Sequence, residues 1–337
     1  MPTWLVITAD NKRVGRGVRG YALVWFLQAY YGRRDVARQT PAQARRAPPR
    51  ADTLLLGLPT SLEPDEIGRL MEQTGCRRVV PFDYLDHHEL AWTPEQAAVL
   101  RSRTDRYLKP WFEEAWDDGV RHGLLPLRLR RRMRNAILLA RAGRALGRTP
   151  QPLYDVAFLG RPNRTYFYSG GTVHGVDQRV EWLAEIRREA PELVLYGGLT
   201  HRKHPLLRPE HSHLCFPQDK VGFFAFWRAM RRSRVLLTPG GNVPWTYRHY
   251  ESLYAGGVVV SVDYTRRDML IPLPRHNMVQ VPDGAPVLPA VREGLRISRE
   301  RPEHSEQTYA HLEQYLRHGA YSRTRPKLLE RFLAQLD

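Results

Sequence analysis

Apolar runs alternate with amphipathic stretches in the first part of the chain. Residues 3–8, 53–57 and 79–83 are apolar at nearly every position, which is typical of parallel strands buried on both faces. Residues 21–31 and 64–74 have the spacing of amphipathic helices, and Pro64 suits a first helical turn. This βαβαβ order predicts a Rossmann-like half-sheet.

A second series of elements begins after a proline-rich junction at residues 150–152. Between the two series, residues 33–50 contain a predicted loop, and residues 86–150 are predicted to be mostly helical. The tail from residue 286 to residue 337 is predicted to be helical. The second series predicts strands over residues 154–159, 193–196, 235–237, 258–262 and 278–281, and helices over residues 177–189 and 222–232.

The most informative segment covers residues 234–263. An apolar strand stops at Thr238-Pro239-Gly240-Gly241, a helix follows, and Ala255-Gly256-Gly257 leads into a second apolar strand. A glycine loop that opens a helix presents free backbone N–H groups and the positive end of the helix dipole. The segment therefore predicts a βαβ unit with an anion site at the start of its helix.

This segment resembles the donor-site motif of GT-B glycosyltransferases, especially the exostosin-like and spore-maturation-type members. The resemblance implies an α/β GT-B fold, in which two Rossmann-like domains face each other across a cleft. It places an acceptor-side domain at residues 1–150 and a nucleotide-sugar donor domain at residues 151–319, with a helix over about residues 320–337 returning to the first domain. The residues that fall in register are Pro244, Trp245, Tyr247, Arg248, Glu251, Ser252, Leu253, Ala255 and Gly256.

Arg248 and Glu251 are three residues apart and share one helix face. They fit an ordinary surface ion pair, or a site in which Arg248 neutralises a diphosphate and Glu251 accepts hydrogen bonds from ribose or sugar hydroxyls. Further donor contacts are expected where strands end. They are Gly160, Arg161, Arg164, Tyr196, Gly197, Pro239, Gly240, Gly241, Thr246 and Tyr247.

An inverting transfer also needs a general base for the acceptor hydroxyl. The resemblance places this base in the first domain, and Asp10, Asp83, Asp86 and His87 follow its predicted strands. Val243 stands where many retaining relatives have a glutamate, which favours inversion. The chain has no Asp-x-Asp motif, so we expect a metal-independent reaction with no cofactor besides the nucleotide sugar.

The formal charge of +17 comes almost entirely from arginine, since the chain has five lysines. Residues 124–150 hold eight arginines and no acid, with the densest group at residues 128–134. This segment fits a solvated helix face, or a basic amphipathic helix that binds anionic lipid head groups or an anionic glycan. Nucleic acid is a less favoured partner, because no recognition motif accompanies the charge.

Two isolated cysteines, the lack of a signal peptide and the lack of a long apolar run predict a cytoplasmic protein, with association at the inner face of a membrane as an extension. The acceptor stays open among a glycan, a lipid-linked intermediate, a protein and a small molecule. Alternatives are a non-catalytic glycan- or nucleic-acid-binding protein of the same fold, or a glycosyltransferase acting on modified DNA. A sugar-nucleotide epimerase is disfavoured, because its His/Glu/Asp set is missing.

Overall fold

A computed structural model describes most of the chain. The described residues are 3–10, 20–85, 90–113, 119–127, 131–147, 150–162, 165–168, 171–174, 177–200, 205, 207–218, 221–241, 246–264, 267–301, 303–317, 320–321 and 327–337. The chain divides into two compact α/β domains. The first comprises residues 1–129, 267–272 and 321–337, and the second comprises residues 130–266 and 273–320.

The elements up to residue 124 build the sheet of the first domain and its helices. In chain order they are β1 (Trp4–Ile7), α1 (Tyr21–Tyr31), β2 (Val36–Gln39), α2 (Pro41–Ala44), β3 (Thr53–Gly57), α3 (Pro64–Thr74), β4 (Arg78–Phe82), α4 (Pro94–Arg101), β5 (Arg106–Lys109), β6 (Phe112–Glu113) and β7 (Arg121–Leu124).

Most of the remaining elements build the second domain. They are α5 (Arg131–Ala145), β8 (Tyr154–Gly160), β9 (Thr165–Tyr168), β10 (Gly171–His174), α6 (Gln178–Glu189), β11 (Leu195–Leu199), α7 (Phe223–Met230), β12 (Ser233–Thr238), α8 (Tyr247–Ala255), β13 (Val258–Val262), β14 (Arg267–Asp268), β15 (Met278–Val281), α9 (Leu288–Glu300), α10 (His304–Glu313), β16 (Leu316–Arg317), β17 (Ala320–Tyr321) and α11 (Lys327–Leu333).

Each domain contains a parallel sheet with the same strand order at its centre. The first sheet runs β2-β1-β3-β4-β5-β7, and the second runs β11-β8-β12-β13-β15. All strand pairs in both sheets are parallel. The apolar runs predicted as strands are buried along their length, as two-sided burial requires. Two Rossmann-like α/β domains of this kind confirm the predicted fold class and fit the GT-B fold.

The segment predicted to be mostly helical also contributes strands to the first sheet. Strands β5 and β7 pair with each other, and β5 pairs with β4, so they extend the sheet at one edge. The prediction that residues 86–150 are mostly helical is wrong, because β5 holds only two hydrophobic residues and β7 only one, too few to show a strand pattern. Strand β2 is likewise an edge strand, with one buried residue, inside the segment in which a loop was predicted.

The domain boundary lies before α5, twenty residues ahead of the predicted junction at residue 150. Helix α5 belongs to the second domain because it packs on α8. An Arg141–Glu313 ion pair and the guanidinium of Arg144, which lies 4.1 Å from the ring centre of Tyr309, also fasten α5 to α10. Helix α11, at the end of the chain, belongs to the first domain, where Phe332 packs on Phe26.

Among the described residues, no helix combines the length and the apolar composition that crossing a membrane requires.

Candidate functional site

The second domain contains a cavity of about 580 Å³ at the carboxyl ends of β8 and β12. In the second sheet, β11 lies on one side of β8 and β12, which comes later in the chain, lies on the other. The direction in which strands are added to the sheet therefore reverses between β8 and β12. Ligands of open α/β sheets bind at such a reversal. The described residues that line the cavity are Arg132, Phe158, Leu159, Gly160, Arg161, Arg179, Thr200, Val221, Phe226, Pro239, Thr246, Tyr247, Arg248 and Glu251.

Helix α8 supplies the centre of this site. Residues His249 to Ala255 are all buried, because α8 lies between the sheet and α5. Thr246 caps its start, and the helix ends at Gly256, whose φ of +93° suits glycine. The sequence places Arg248 and Glu251 on one face of this helix, and both side chains line the cavity.

Arg248 is held between two aromatic rings. Its guanidinium carbon lies 5.1 Å from the ring centre of Phe158 and 5.5 Å from that of Phe226. Burial and then the neighbouring Arg179 lower the pKa of Arg248 to about 10, while Glu251 opposes this shift. At neutral pH Arg248 therefore stays a cation, but one that has lost water and faces a like charge. A bound anion would offset both the lost hydration of Arg248 and the repulsion between Arg248 and Arg179.

Arg179, at the start of α6, joins the two loops that border the cavity. Its Nη1 donates to the carbonyl of Arg161 at 2.8 Å, and its Nε and Nη2 donate to the carbonyl of Gly240 at 3.3 and 3.2 Å. The adjacent Gln178 accepts a hydrogen bond from the Gly240 amide at 2.8 Å. These hydrogen bonds from the start of α6 hold the glycine loop before α8 in place. Burial lowers the pKa of Arg179.

The charge of the cavity is strongly positive. Among the described residues of its wall, Arg132, Arg161, Arg179 and Arg248 stand against the single carboxylate of Glu251. Glu251 is only 6% exposed, so its carboxylate faces the cavity rather than bulk water. Guanidinium groups bind phosphate oxygens in paired hydrogen bonds, and the start of α8 adds the positive end of its dipole. The arrangement suits an anion larger than one phosphate that also carries hydroxyl groups.

Buried His249 fixes the start of α8. The backbone N–H of Thr246 donates to its Nδ1 at 3.0 Å, and the same nitrogen lies 3.0 Å from the Thr246 carbonyl oxygen. The Nε2 of His249 lies 2.7 Å from the Ser261 hydroxyl and 3.3 Å from the Tyr264 hydroxyl. Burial lowers the pKa of His249 to about 4, so the ring is neutral and can serve as the acceptor that the cap needs.

Several predicted residues lie elsewhere. Gly241 is buried in the loop before α8 and does not line the cavity. Tyr196 packs between Tyr154 and Phe216, with ring centres 4.9 and 5.4 Å away, and it is not among the described residues of the cavity wall. Gly197 is needed for packing, because a Cβ there would stand 1.8 Å from the Phe158 carbonyl. Tyr196 and Gly197 therefore have packing roles, and their contact with the donor stays a prediction.

The base candidates of the first domain differ in environment. The carboxylate of Asp83 is fully buried, 3.0 Å from Lys109 Nζ and 2.8 Å from the Tyr107 hydroxyl that donates to it. This ion pair, sealed from solvent, links the ends of strands β4 and β5 and gives Asp83 a structural role, while its catalytic role stays a prediction. Asp10 is half-buried after β1 and accepts a hydrogen bond from the Ser61 hydroxyl.

Asp86, His87 and Arg164 lie outside the described residues, as do Pro244 and Trp245 of the sequence motif. In the part of the chain that the structure describes, no three His, Cys, Asp or Glu side chains converge in a way that could hold a metal ion.

Arg132 and Arg179 were missed as site residues by the sequence analysis. Arg132 was noted only as one of the clustered arginines, and Arg179 belongs to no motif. The one available signal for Arg179 was its place in the first turn of a helix, beside the predicted anion site in a parallel sheet.

No protein-family model matches this chain, and no curated protein matches it. Solved structures are similar to it at low identity. One is a UDP-forming α,α-trehalose-phosphate synthase from Burkholderia xenovorans, with 12% identity and a TM-score of 0.46, covering 100% of this chain and 99% of that one. Another is the T4 phage BGT in complex with its UDP-glucose substrate, with 11% identity, a TM-score of 0.45 and complete coverage of both chains.

An α1,3-fucosyltransferase is similar over 99% of this chain and 90% of its own, with 11% identity and a TM-score of 0.45. At these identities and scores the similarities do not bear on function, which is inferred from the residues of the site.

Proposed function

We propose that the protein is a glycosyltransferase that moves a sugar from a nucleotide-diphosphate donor to an acceptor hydroxyl. The observation that carries this proposal is the positive cavity of the second domain, in which Arg248, Arg179 and Arg132 face one carboxylate, Glu251. A nucleotide sugar has the matching chemistry, because its diphosphate carries two negative charges beside neutral, hydroxyl-bearing rings. The resemblance to exostosin-like and spore-maturation-type enzymes supports the same donor.

In this proposal Arg248 stabilises the departing nucleotide diphosphate. Negative charge builds on the leaving oxygens as the glycosidic bond breaks, and a cation already stripped of water acts on it without reorganisation. Arg179 keeps the two loops at the spacing that the diphosphate requires. Glu251 accepts hydrogen bonds from ribose or sugar hydroxyls, since its carboxylate would repel the negative phosphates if it lay beside them.

The remaining parts of the mechanism are proposals of the sequence analysis. The reaction is inverting and metal-independent, with arginine charge in place of a divalent cation. A first-domain side chain accepts the proton of the acceptor hydroxyl. Asp10 is the candidate within the described residues, since its carboxylate is half-buried after β1 and not sealed in an ion pair. Asp86 and His87 remain candidates from the sequence.

A thermal-shift screen with UDP, GDP, dTDP and the matching monophosphates tests the donor site. The proposal expects one diphosphate to stabilise the protein by about 2.7 kcal/mol at 100-fold over its Kd, with a smaller effect from the monophosphate. The matching nucleotide sugar is then incubated with the protein in EDTA, and the released diphosphate is measured. Binding without release, even with candidate acceptors, would favour the non-catalytic binding protein. No stabilisation by any diphosphate would reject the proposal.

A further inference from the structure

Several large apolar side chains of the second domain are exposed. Among the described residues, six large hydrophobic side chains are exposed; Trp25 belongs to the first domain, and Val194 lies before β11, beside the start of β8. The other four are between 47% and 63% exposed. They are Leu138 on α5, Leu146 just after α5, Phe224 on α7, and Leu153, whose amide donates to the carbonyl of Arg232 just after α7 at 2.8 Å.

Helix α7 packs on β8 and β12, and both α5 and α7 pack on α8, so α5 lies outside α8 on the same side of the sheet as α7. At their starts, the guanidinium carbon of Arg132 lies 5.7 Å from the ring centre of Phe223. At their ends, the guanidinium of Arg231 fills the space beside Gly143, where a Cβ would collide with it. The helices therefore run in the same direction, and Leu138, Leu146 and Phe224 lie on this side of the sheet, with Leu153 beside the end of α7. We call these four residues, with Arg134 and Arg228, the α5–α7 surface.

The charged side chains of α5 and α7 are all positive, and the neighbouring acids of α10, Glu306 and Glu313, pair with Arg144 and Arg141. Neither residues 124–150 nor residues 221–234 contain an aspartate or a glutamate. Arg134 and Arg228 are exposed, and neither has an ion pair among the described residues. Burial and the nearby Arg144 lower the pKa of Arg231, which shows how closely the positive groups are packed. Exposed leucine and phenylalanine among unopposed arginines form an amphipathic surface of the interfacial type.

We propose that the α5–α7 surface binds the anionic surface of a phospholipid bilayer. Arginines attract the negative head groups, and the leucine and phenylalanine side chains enter the boundary between head groups and acyl chains. A nucleic-acid backbone would use the arginines but would leave the three leucines without partners, so lipid is the better match. Helix α5 was expected to bind through residues 128–134, whereas the surface extends along α5 and onto α7.

This inference does not depend on the donor site. Leu138, Phe224, Arg134 and Arg228 do not line the cavity, so variants at these positions should bind nucleotide diphosphate as the parent does. Failure of the glycosyltransferase proposal would leave the membrane proposal standing, and the reverse also holds.

Co-sedimentation with vesicles tests the surface. One set contains phosphatidylcholine alone and the other contains phosphatidylcholine mixed with phosphatidylglycerol. The parent protein should sediment with the mixed vesicles and not with phosphatidylcholine alone. The pair Arg134→Gln and Arg228→Gln should lower the partition coefficient about 25-fold, because each positive charge near the surface contributes about fivefold. The pair Leu138→Ser and Phe224→Ser should lower it at least about tenfold.

The matched control is the pair Arg292→Gln and Arg299→Gln. Both arginines are exposed on α9, which packs with α6 on the other face of the same sheet, and the pair changes the net charge equally. Binding should be nearly unchanged in this control. The proposal is overturned if the parent ignores mixed vesicles, if the control loses as much binding as the α5–α7 arginine pair, or if the apolar pair has no effect. Binding to a DNA duplex that is tighter than binding to the mixed vesicles, and that the same variants abolish, would assign the surface to nucleic acid. That result would also overturn the membrane proposal.

Discussion

Acidification below pH 6.5 should weaken the second domain through His249. The ring accepts the Thr246 amide at Nδ1 and lies against Ser261 and Tyr264 at Nε2. A protonated ring carries an N–H on both nitrogens, so its Nδ1 could no longer accept the Thr246 amide, and its charge would be buried away from water. Burial therefore lowers the folded-state pKa to about 4, against about 6.5 in the unfolded chain. The folded state binds fewer protons, so stability is full above pH 6.5 and falls as the pH drops towards 4.

The size of this effect follows from the two pKa values. At pH 5 the unfolded chain has taken up nearly one proton at this site, and the folded protein has taken up almost none. The linkage relation gives a loss of about 2 kcal/mol between pH 7 and pH 5, with no further change from this residue below pH 4.

Urea unfolding of the parent and of His249→Asn at pH 7 and pH 5 measures this loss. The variant should be less stable at pH 7, because its cap is weaker, but its stability should change by about 2 kcal/mol less between the two pH values. His213→Asn replaces an exposed histidine and serves as the control, which should keep the parent's pH dependence. Equal pH dependence in the parent and in His249→Asn would refute the account of the cap.

Two further substitutions probe packing. Lys109→Met should destabilise the first domain to urea by on the order of 3–5 kcal/mol, because it leaves the Asp83 carboxylate buried without its cation. Adding Asp83→Asn should restore part of this loss, and a loss below about 1 kcal/mol would show that the ion pair is not sealed from solvent. Gly197→Ala should prevent stable folding, because its Cβ would overlap the Phe158 carbonyl, whereas Gly222→Ala, which meets nothing within 4 Å, should melt like the parent.

The sequence predicted the fold where local pattern and tertiary environment agree. Residues 53–57 and 258–262 are apolar except at Thr53 and Ser261, and they form the interior strands β3 and β13. Strands β5 and β7 escaped prediction because sheet pairing, of β5 with β4 and of β7 with β5, defines them rather than composition. Their sequences, Arg-Tyr-Leu-Lys and Arg-His-Gly-Leu, carry no strand pattern of useful length.

The site was predictable only where it is local in sequence. The glycine loop and α8 form one continuous segment, so their spacing could be recognised. Arg179 and Arg132 reach the same cavity from α6 and α5, and only the folded sheet brings them there. The role of Asp83 was missed for a related reason. Its partner Lys109 lies on the neighbouring strand, and no sequence pattern shows that both side chains point into the core.

The central claim is that Arg248 and Glu251 hold a nucleotide-sugar donor. The most direct test is the turnover of the nucleotide sugar whose diphosphate the thermal-shift screen identifies. Arg248→Ala should lower kcat about 30- to 1,000-fold, which corresponds to about 2–4 kcal/mol of transition-state stabilisation. Glu251→Gln should raise the donor Kd with a smaller loss of kcat, and Arg292→Ala, on the opposite face of the sheet, should behave as the parent. Normal donor binding and normal turnover in both Arg248→Ala and Glu251→Gln would contradict the assignment of this cavity.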